Sequence, residues 1–277
     1  MGITIPIYIS LYKSNIQTFP TYQRHLVVKM AELVTNLKVV QDKIIAASAR
    51  RLPEYKYFEP RLVAVSKLKS VELIVDAYKA GQRHFGENYV NELVEKGNHS
   101  SILETCTDIR WHFIGHLQRN KINKLLTTPN LYIIETIDNE KLASALNTSW
   151  SKIRVHENLK LKVMVQVNTS NEQEKSGCEI TDVCTLVQHI IDNCTSLEFV
   201  GLMTIGTFGH DLAKGPNPDF LCLKECREKV SKELGIDLNK IELSMGMSND
   251  YEHAVELGST NIRVGTAIFG ERAKKDT

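Results

Sequence analysis

Short apolar runs rich in valine and isoleucine alternate along the chain with longer polar stretches. The runs are Leu62–Lys67, His84–Tyr89, Trp111–Leu117, Leu131–Ile137, Lys162–Asn168, Phe199–Ile205, Ile241–Met247 and Ile262–Phe269. Their length and β-branched content predict eight strands. Between them, stretches such as "SVELIVDAYKAG", "NEKLASALNTSWSKI" and "EITDVCTLVQHIIDNC" repeat apolar residues at helical spacing. Strands that alternate with helices must pair in parallel, because a parallel neighbour is reached only by a long crossover. The near-continuous apolar character of the runs says that both faces of the sheet are covered.

Eight such units imply a single (β/α)8 TIM-type barrel. An open, doubly wound sheet is the alternative, disfavoured because no G-x-G-x-x-G follows the first strand. Ahead of the first strand, Leu26, Met30, Leu33, Leu37, Val40, Ile44 and Ile45 recur at helical spacing. They predict an extra N-terminal helix from about His25 to Arg50 that packs on the barrel. Residues 1–24 read as a disordered leader or a targeting segment, and residues 25–277 as one barrel.

Composition narrows the function classes. The chain has 34 basic and 33 acidic side chains, a formal charge of +1. That balance gives no case for nucleic acid or a membrane surface as a partner. No apolar run is long enough to span a bilayer. Six irregularly spaced cysteines without a C-x-x-C pair read as reduced thiols acting as small hydrophobes. Cytoplasm is the expected compartment. The acid-free stretch from Met1 to Ala31 leaves a mitochondrial address open as a second one.

The chemistry lies at the strand ends. "LVAVSK" closes an apolar strand on Lys67, on the same face as Val63 and Val65. In a barrel the C-terminal strand ends form the functional face. A lysine there is partly desolvated, which lowers the pKa of an amine and leaves it able to condense with an aldehyde. A lysine that keeps its head in water is the competing reading, and it is the reading for Lys69. Asn88 ends strand 2, either at the barrel mouth or as the cap of the next helix. Gly115, in "HFIGH", lets a ligand or a backbone come close. His112 and His116 are acid–base candidates or hydrogen-bonded structural residues.

Strand 7 gives "LSMGMSND", with Ser244, Gly246 and Ser248, the last placed to cap the following helix. Strand 8 gives "RVGT", with Gly265 and Thr266. Barrels often hold phosphate with the loops after strands 7 and 8. An amine on strand 1 and a phosphate cradle on strands 7 and 8 fit an aldehyde that carries a phosphate, and pyridoxal 5′-phosphate is the obvious candidate.

The segments "LVAVSKLK", "HFGENYVNEL", "WHFIGHLQRNK", "ETID", "VNTSNEQEKSG", "GLMTIG", "LSMGMSNDYEHAV" and "GSTNIRVGTAIFG" resemble, in order, the pyridoxal phosphate homeostasis protein family. The resemblance runs from about Met30 to Gly270. It implies the barrel of fold-type III proteins, similar to the N-terminal domain of alanine racemase. It implies that Lys67 forms the Schiff base, that Ser244, Ser248, Gly265 and Thr266 hold the phosphate, that Arg263 faces the pyridine nitrogen and that Asn88 lies beside the ring. His116 stands where the family varies, and residues before Met30 lie outside the match.

The function implied is a pyridoxal phosphate-binding protein of cofactor homeostasis and supply, with effects on amino-acid balance and without an established catalytic activity. PLP-dependent apoenzymes are its possible recipients. Only seven residues follow Gly270, whereas racemases of this fold add a β-rich domain. A carrier, expected to be monomeric, is therefore preferred to an amino-acid racemase-type enzyme. A cofactor-free aldolase is the third reading.

Overall fold

In a computed structural model, the strands are Arg61–Val65 (β1), His84–Glu87 (β2), Arg110–Phe113 (β3), Leu131–Ile137 (β4), Leu161–Gln166 (β5), Leu197–Met203 (β6), Glu242–Ser244 (β7) and Asn261–Val264 (β8). The structure describes residues 21–55, 58–172, 176–207 and 209–271. Of the expected leader, residues 1–24, residues 1–20 lie outside the described residues, and residues 21–24 belong to the first helix, Thr21–Ala49. All neighbouring strands pair in parallel, and β8 returns to β1 to close the barrel in the order β1 to β8.

The helices are Thr21–Ala49 (α1), Val71–Lys79 (α2), Val90–Gly97 (α3), Ser100–Thr105 (α4), Ile122–Leu125 (α5), Glu140–Ile153 (α6), Val183–Asn193 (α7), Pro218–Leu234 (α8), Tyr251–Glu256 (α9) and Thr266–Phe269 (α10). The main hydrophobic core lies between the barrel wall and these helices. Outward-facing residues such as Leu62, Ala64, Phe85 and Phe113 meet Ile74, Leu93 and Leu125 there. A second, smaller cluster of Ile133, Met164, Val200 and Met203 fills part of the barrel interior.

Helix α1 packs across α9, α10 and α2. Leu33, Leu37, Val40 and Ile44 form its buried stripe, together with Ala47. Ile45, counted with that stripe in the sequence, is 68% exposed. One residue from Ile44 is a rotation of about 100°, enough to leave the buried face. All six cysteines are free, and five are buried. Among the described residues no helix is long and apolar enough to cross a membrane.

Candidate functional site

The last ladder residue of β1 is Val65, and Lys67 lies in the turn that follows, half-buried. That turn is fixed by a buried ion cluster. Ser66 donates its backbone N–H to Gly86 at 3.0 Å and its hydroxyl to Glu87 at 2.7 Å. Lys96, from α3, donates to the Ser66 carbonyl, Glu87 and Glu92 at 2.7, 2.7 and 2.6 Å. Glu92 in turn accepts the N–H of Leu68, a non-glycine residue at φ 59°. Lys67 thus sits between two residues whose backbones are held by the same ammonium and its carboxylates. Burial pushes the Glu87 carboxyl up, while Lys96 and the Ser66 hydroxyl pull it back.

Lys69 anchors its amine on backbone carbonyls. It donates to the carbonyls of Phe269, Gly270 and Glu271 at 3.1, 2.9 and 2.8 Å. A cation at the C-terminal end of α10 satisfies carbonyls that the helix leaves unpaired. It also ties the β1 turn to the end of the β8 unit.

Asn88 follows β2. Tyr89 occupies the cap position of α3, with no side-chain cap bond, so the capping role expected for Asn88 is not the one found. The Asn88 side-chain Oδ1 is buried and has no hydrogen-bond partner. Gly115 passes so close that a Cβ there would lie 1.8 Å from the Asn88 carbonyl oxygen. The close approach that the sequence allowed at Gly115 is therefore to a backbone.

The β7 and β8 ends meet as expected. The Gly265 N–H donates to Ser248 Oγ at 3.2 Å. A Cβ on Gly265 would touch Val65, two residues before Lys67. Gly246 takes φ 94°, and a Cβ there would lie 2.5 Å from that of Ala254, so only glycine fits the turn. Thr266 is exposed at the start of α10. Ser248 does not cap α9. Asp250 holds that position and accepts the Met247 N–H at 2.6 Å. A groove of about 500 Å³ runs behind this turn, between α1 and α9, and shares Ser248 with it. Its basic side chains, Lys43 and Arg50, are paired with Glu252 and Glu256.

Arg263 and Ser244 face the barrel interior. Arg263 is buried and donates to Ser244 Oγ at 2.5 Å and to the Thr204 carbonyl at 2.7 Å. Ser244 donates to Glu135 at 2.5 Å. Its hydroxyl is committed to Arg263 and Glu135, so the structure does not bring it together with Ser248 and Gly265. Four residues apart on a strand and its turn, two serines of one motif face different surroundings. Glu135 also accepts from His112, and neither is exposed. The sequence signal for Glu135 was a carboxylate inside the apolar run "LYIIETI"; such a group is buried only with partners. His116 is more than half exposed and lies 3.7 Å from Asp138.

The residues present fit pyridoxal phosphate. Asn88, after β2, and Arg263 with the Ser248–Gly265 turn, on and beside β8, flank β1, whose turn carries Lys67: an unpartnered buried acceptor, a buried cation, and a Gly265 N–H held by the Ser248 hydroxyl.

Comparison with known proteins gives the family of the chain. The family model for the alanine racemase N-terminal domain matches residues 43–273. The human pyridoxal phosphate homeostasis protein is 52% identical over 243 residues, covering 87% of this chain and 88% of that one. The structure of PipY from Synechococcus elongatus with PLP bound superposes with a TM-score of 0.69 at 28% identity, over 86% of this chain and all of that one. An unknown protein from Bifidobacterium adolescentis gives a TM-score of 0.72 at 31% identity, over 87% and 96%. A barrel with these strand ends, a matching family model and relatives at this identity together place the chain in the alanine racemase N-terminal domain family, among the pyridoxal phosphate homeostasis proteins.

Proposed function

We propose that this protein binds pyridoxal 5′-phosphate on Lys67 and acts in its homeostasis and supply. The observation that carries the reading is the unpartnered Oδ1 of Asn88, buried at the same barrel end as Lys67, Arg263 and the Ser248–Gly265 turn. A buried acceptor without a partner costs about 1–3 kcal/mol, a cost that a bound polar group can remove.

Lys67 would hold the cofactor through its amine, and the chemistry supplied there would be that of an aldehyde. The protein's share is positioning. The Lys96 cluster fixes the backbone on both sides of Lys67. Ser248, Gly265 and Thr266 offer hydroxyls and N–H groups to the phosphate, and Asn88 orients the ring. Arg263 presents a cation to the ring nitrogen, keeping it unprotonated and the ring a weak electron sink. That favours carriage over racemisation. So does His112, whose ring is buried and bonded to Glu135 rather than free to move a substrate proton. PLP-dependent apoenzymes are the acceptors this reading expects, and a monomer in the cytoplasm or mitochondria its working form.

The test is the absorption spectrum of the purified protein before and after borohydride, with peptide mapping and a Lys67→Ala control. The expected result is a yellow protein whose reduced pyridoxyl group maps to Lys67. A colourless protein that takes up no added pyridoxal phosphate, like the alanine variant, would overturn the reading.

A further inference from the structure

The barrel interior carries a continuous polar chain. Arg110, exposed at the start of β3, meets His84 Nε2 at 3.3 Å. His84 Nδ1 lies 2.8 Å from His112 Nε2. His112 Nδ1 lies 2.5 Å from Glu135 Oε1. From the other side, Arg263 reaches Ser244, and Ser244 reaches Glu135 Oε2, each at 2.5 Å.

The proton positions follow from donor chemistry. Arginine can only donate. His84 Nε2 must therefore accept, which places the His84 proton on Nδ1. His112 Nε2 then accepts, its proton sits on Nδ1, and it donates to Glu135. Arg263 donates to Ser244 Oγ, so the serine proton goes to the other carboxylate oxygen. Every bond in the chain points toward Glu135, and both its oxygens accept. That pattern requires an ionised carboxylate, although no part of Glu135 is exposed. Burial works against its charge, yet the His112 bond, Arg263 and Ser244 bring the carboxyl below its usual range.

The surroundings are consistent. Arg263 is faced by Glu135 and by Asp250 from the β7–α9 loop. His84 is faced by His112, Arg61, Arg110, Lys162 and the Tyr132 ring. Glu242 is taken up by Arg61 at 2.8 Å. Asp250 faces Arg263 through its charge, and Glu135 is the carboxylate that Ser244, itself the acceptor of an Arg263 bond, donates to.

We infer that Glu135 is the counter-charge that orients Arg263 on the floor of the candidate site, held ionised through His112 and His84 from the opposite end of the barrel. Glu135, His112 and His84 are positioning residues. The inference rests on the reading of Arg263 as the residue that faces the ring nitrogen.

Two measurements test it. The first uses the unliganded full-length protein labelled with 15N-histidine, with resonances assigned through His84→Gln and His112→Gln. Both His84 and His112 should carry their proton on Nδ1. A His112 with a bare Nδ1 cannot donate to Glu135 and would overturn the inference. The second uses protein loaded with pyridoxal phosphate. Glu135→Gln, nearly the same shape without the charge, should move the pH midpoint of the visible band by about one unit. His112→Leu should move it the same way, while His112→Gln, whose amide can still donate to Glu135, should restore most of the wild-type midpoint. A Glu135→Gln protein with the wild-type midpoint would reduce Glu135 to a structural residue. If Glu135→Gln does not fold, the tautomers decide. If the wild-type protein takes up no pyridoxal phosphate, the cofactor reading fails, and the tautomers still decide whether the chain converges on Glu135.

Discussion

Lys96 carries the most exposed consequence of the site's design. It is almost fully buried and compensates Glu87, which is not exposed at all. Replacing one partner of such a pair leaves an uncompensated charge and costs about 3–5 kcal/mol. Lys96→Met should therefore lose that much stability by urea unfolding at pH 7. Glu87 already holds its proton more tightly than a free carboxyl because of burial, and without Lys96 it will hold it more tightly still. A raised folded-state pKa gives a contribution that is present at low pH and lost as pH rises through it. The deficit of Lys96→Met should hence shrink between pH 7 and pH 5; a deficit unchanged by pH would mean lost packing instead. Lys67 and Asn88 were legible in the sequence because each is a polar residue ending an apolar run. The roles of Lys96 and Glu135 were not, since a carboxylate's partner on another strand or helix appears only when the barrel closes. The partners of Ser244 were hidden for the same reason: its place in the motif is local, but Glu135 and Arg263 come from β4 and β8.

At the scale of elements, the eight strands and their order were readable from pattern alone, while their ends were not. The apolar runs continue to Lys67, Asn168 and Met247, yet the ladders stop at Val65, Gln166 and Ser244. Beyond those points the backbone bonds turn local, as where Lys69 donates to the Ser66 carbonyl. The run through Phe269 hides a change of type, because "TAIF" is the short helix α10. Four apolar residues do not distinguish a strand from one helical turn. The contact between the β2 and β3 ends gives a sharp test. Gly115→Ala would force a methyl into the Asn88 carbonyl, so the Asn88 turn must move. The variant should keep its far-ultraviolet dichroism and lose at least tenfold in pyridoxal phosphate affinity, about 1.4 kcal/mol, read by absorbance titration. Undiminished affinity would show that the position of Asn88 does not matter. Helix α1 offers a stability test one helical face wide. Leu37→Ala, 1% exposed, should cost about 2–5 kcal/mol. Ile45→Ala, on the solvent side, should cost within about 0.5 kcal/mol.

Across the whole molecule, the barrel divides into an end that carries the candidate site and a cationic far end, joined by a polar interior. Near-neutral composition concealed this, because the charges are balanced over the chain but not within the barrel. Around the Tyr132 ring gather Arg61, Arg110 and Lys162, of which Arg61 is paired with Glu242. His84 packs edge-on against the same ring. Burial first, and then His112 and these cations, push the His84 imidazole down to about 2. In the unfolded chain it titrates near 6.5. A depressed folded-state pKa means the unfolded chain takes the proton first, so His84 contributes stability that is full above pH 6.5 and is lost as pH falls below it. The loss is at most about 1.4 kcal/mol per pH unit. Comparing wild type with His84→Gln isolates that slope, since glutamine cannot titrate. Urea unfolding at pH 7.5, 6.5 and 5.0 should give differences that shift by only about 0.4 kcal/mol between the first two and by about 2 kcal/mol in all, in favour of glutamine, by the third. Parallel profiles down to pH 5 would mean that His84 charges as easily in the barrel as in water. The cationic end would then lack the field assigned to it. A wild-type slope that His84→Gln abolishes would show that this end of the barrel holds the His84 imidazole neutral, with Nε2 free to accept from Arg110 and Nδ1–H to donate to His112.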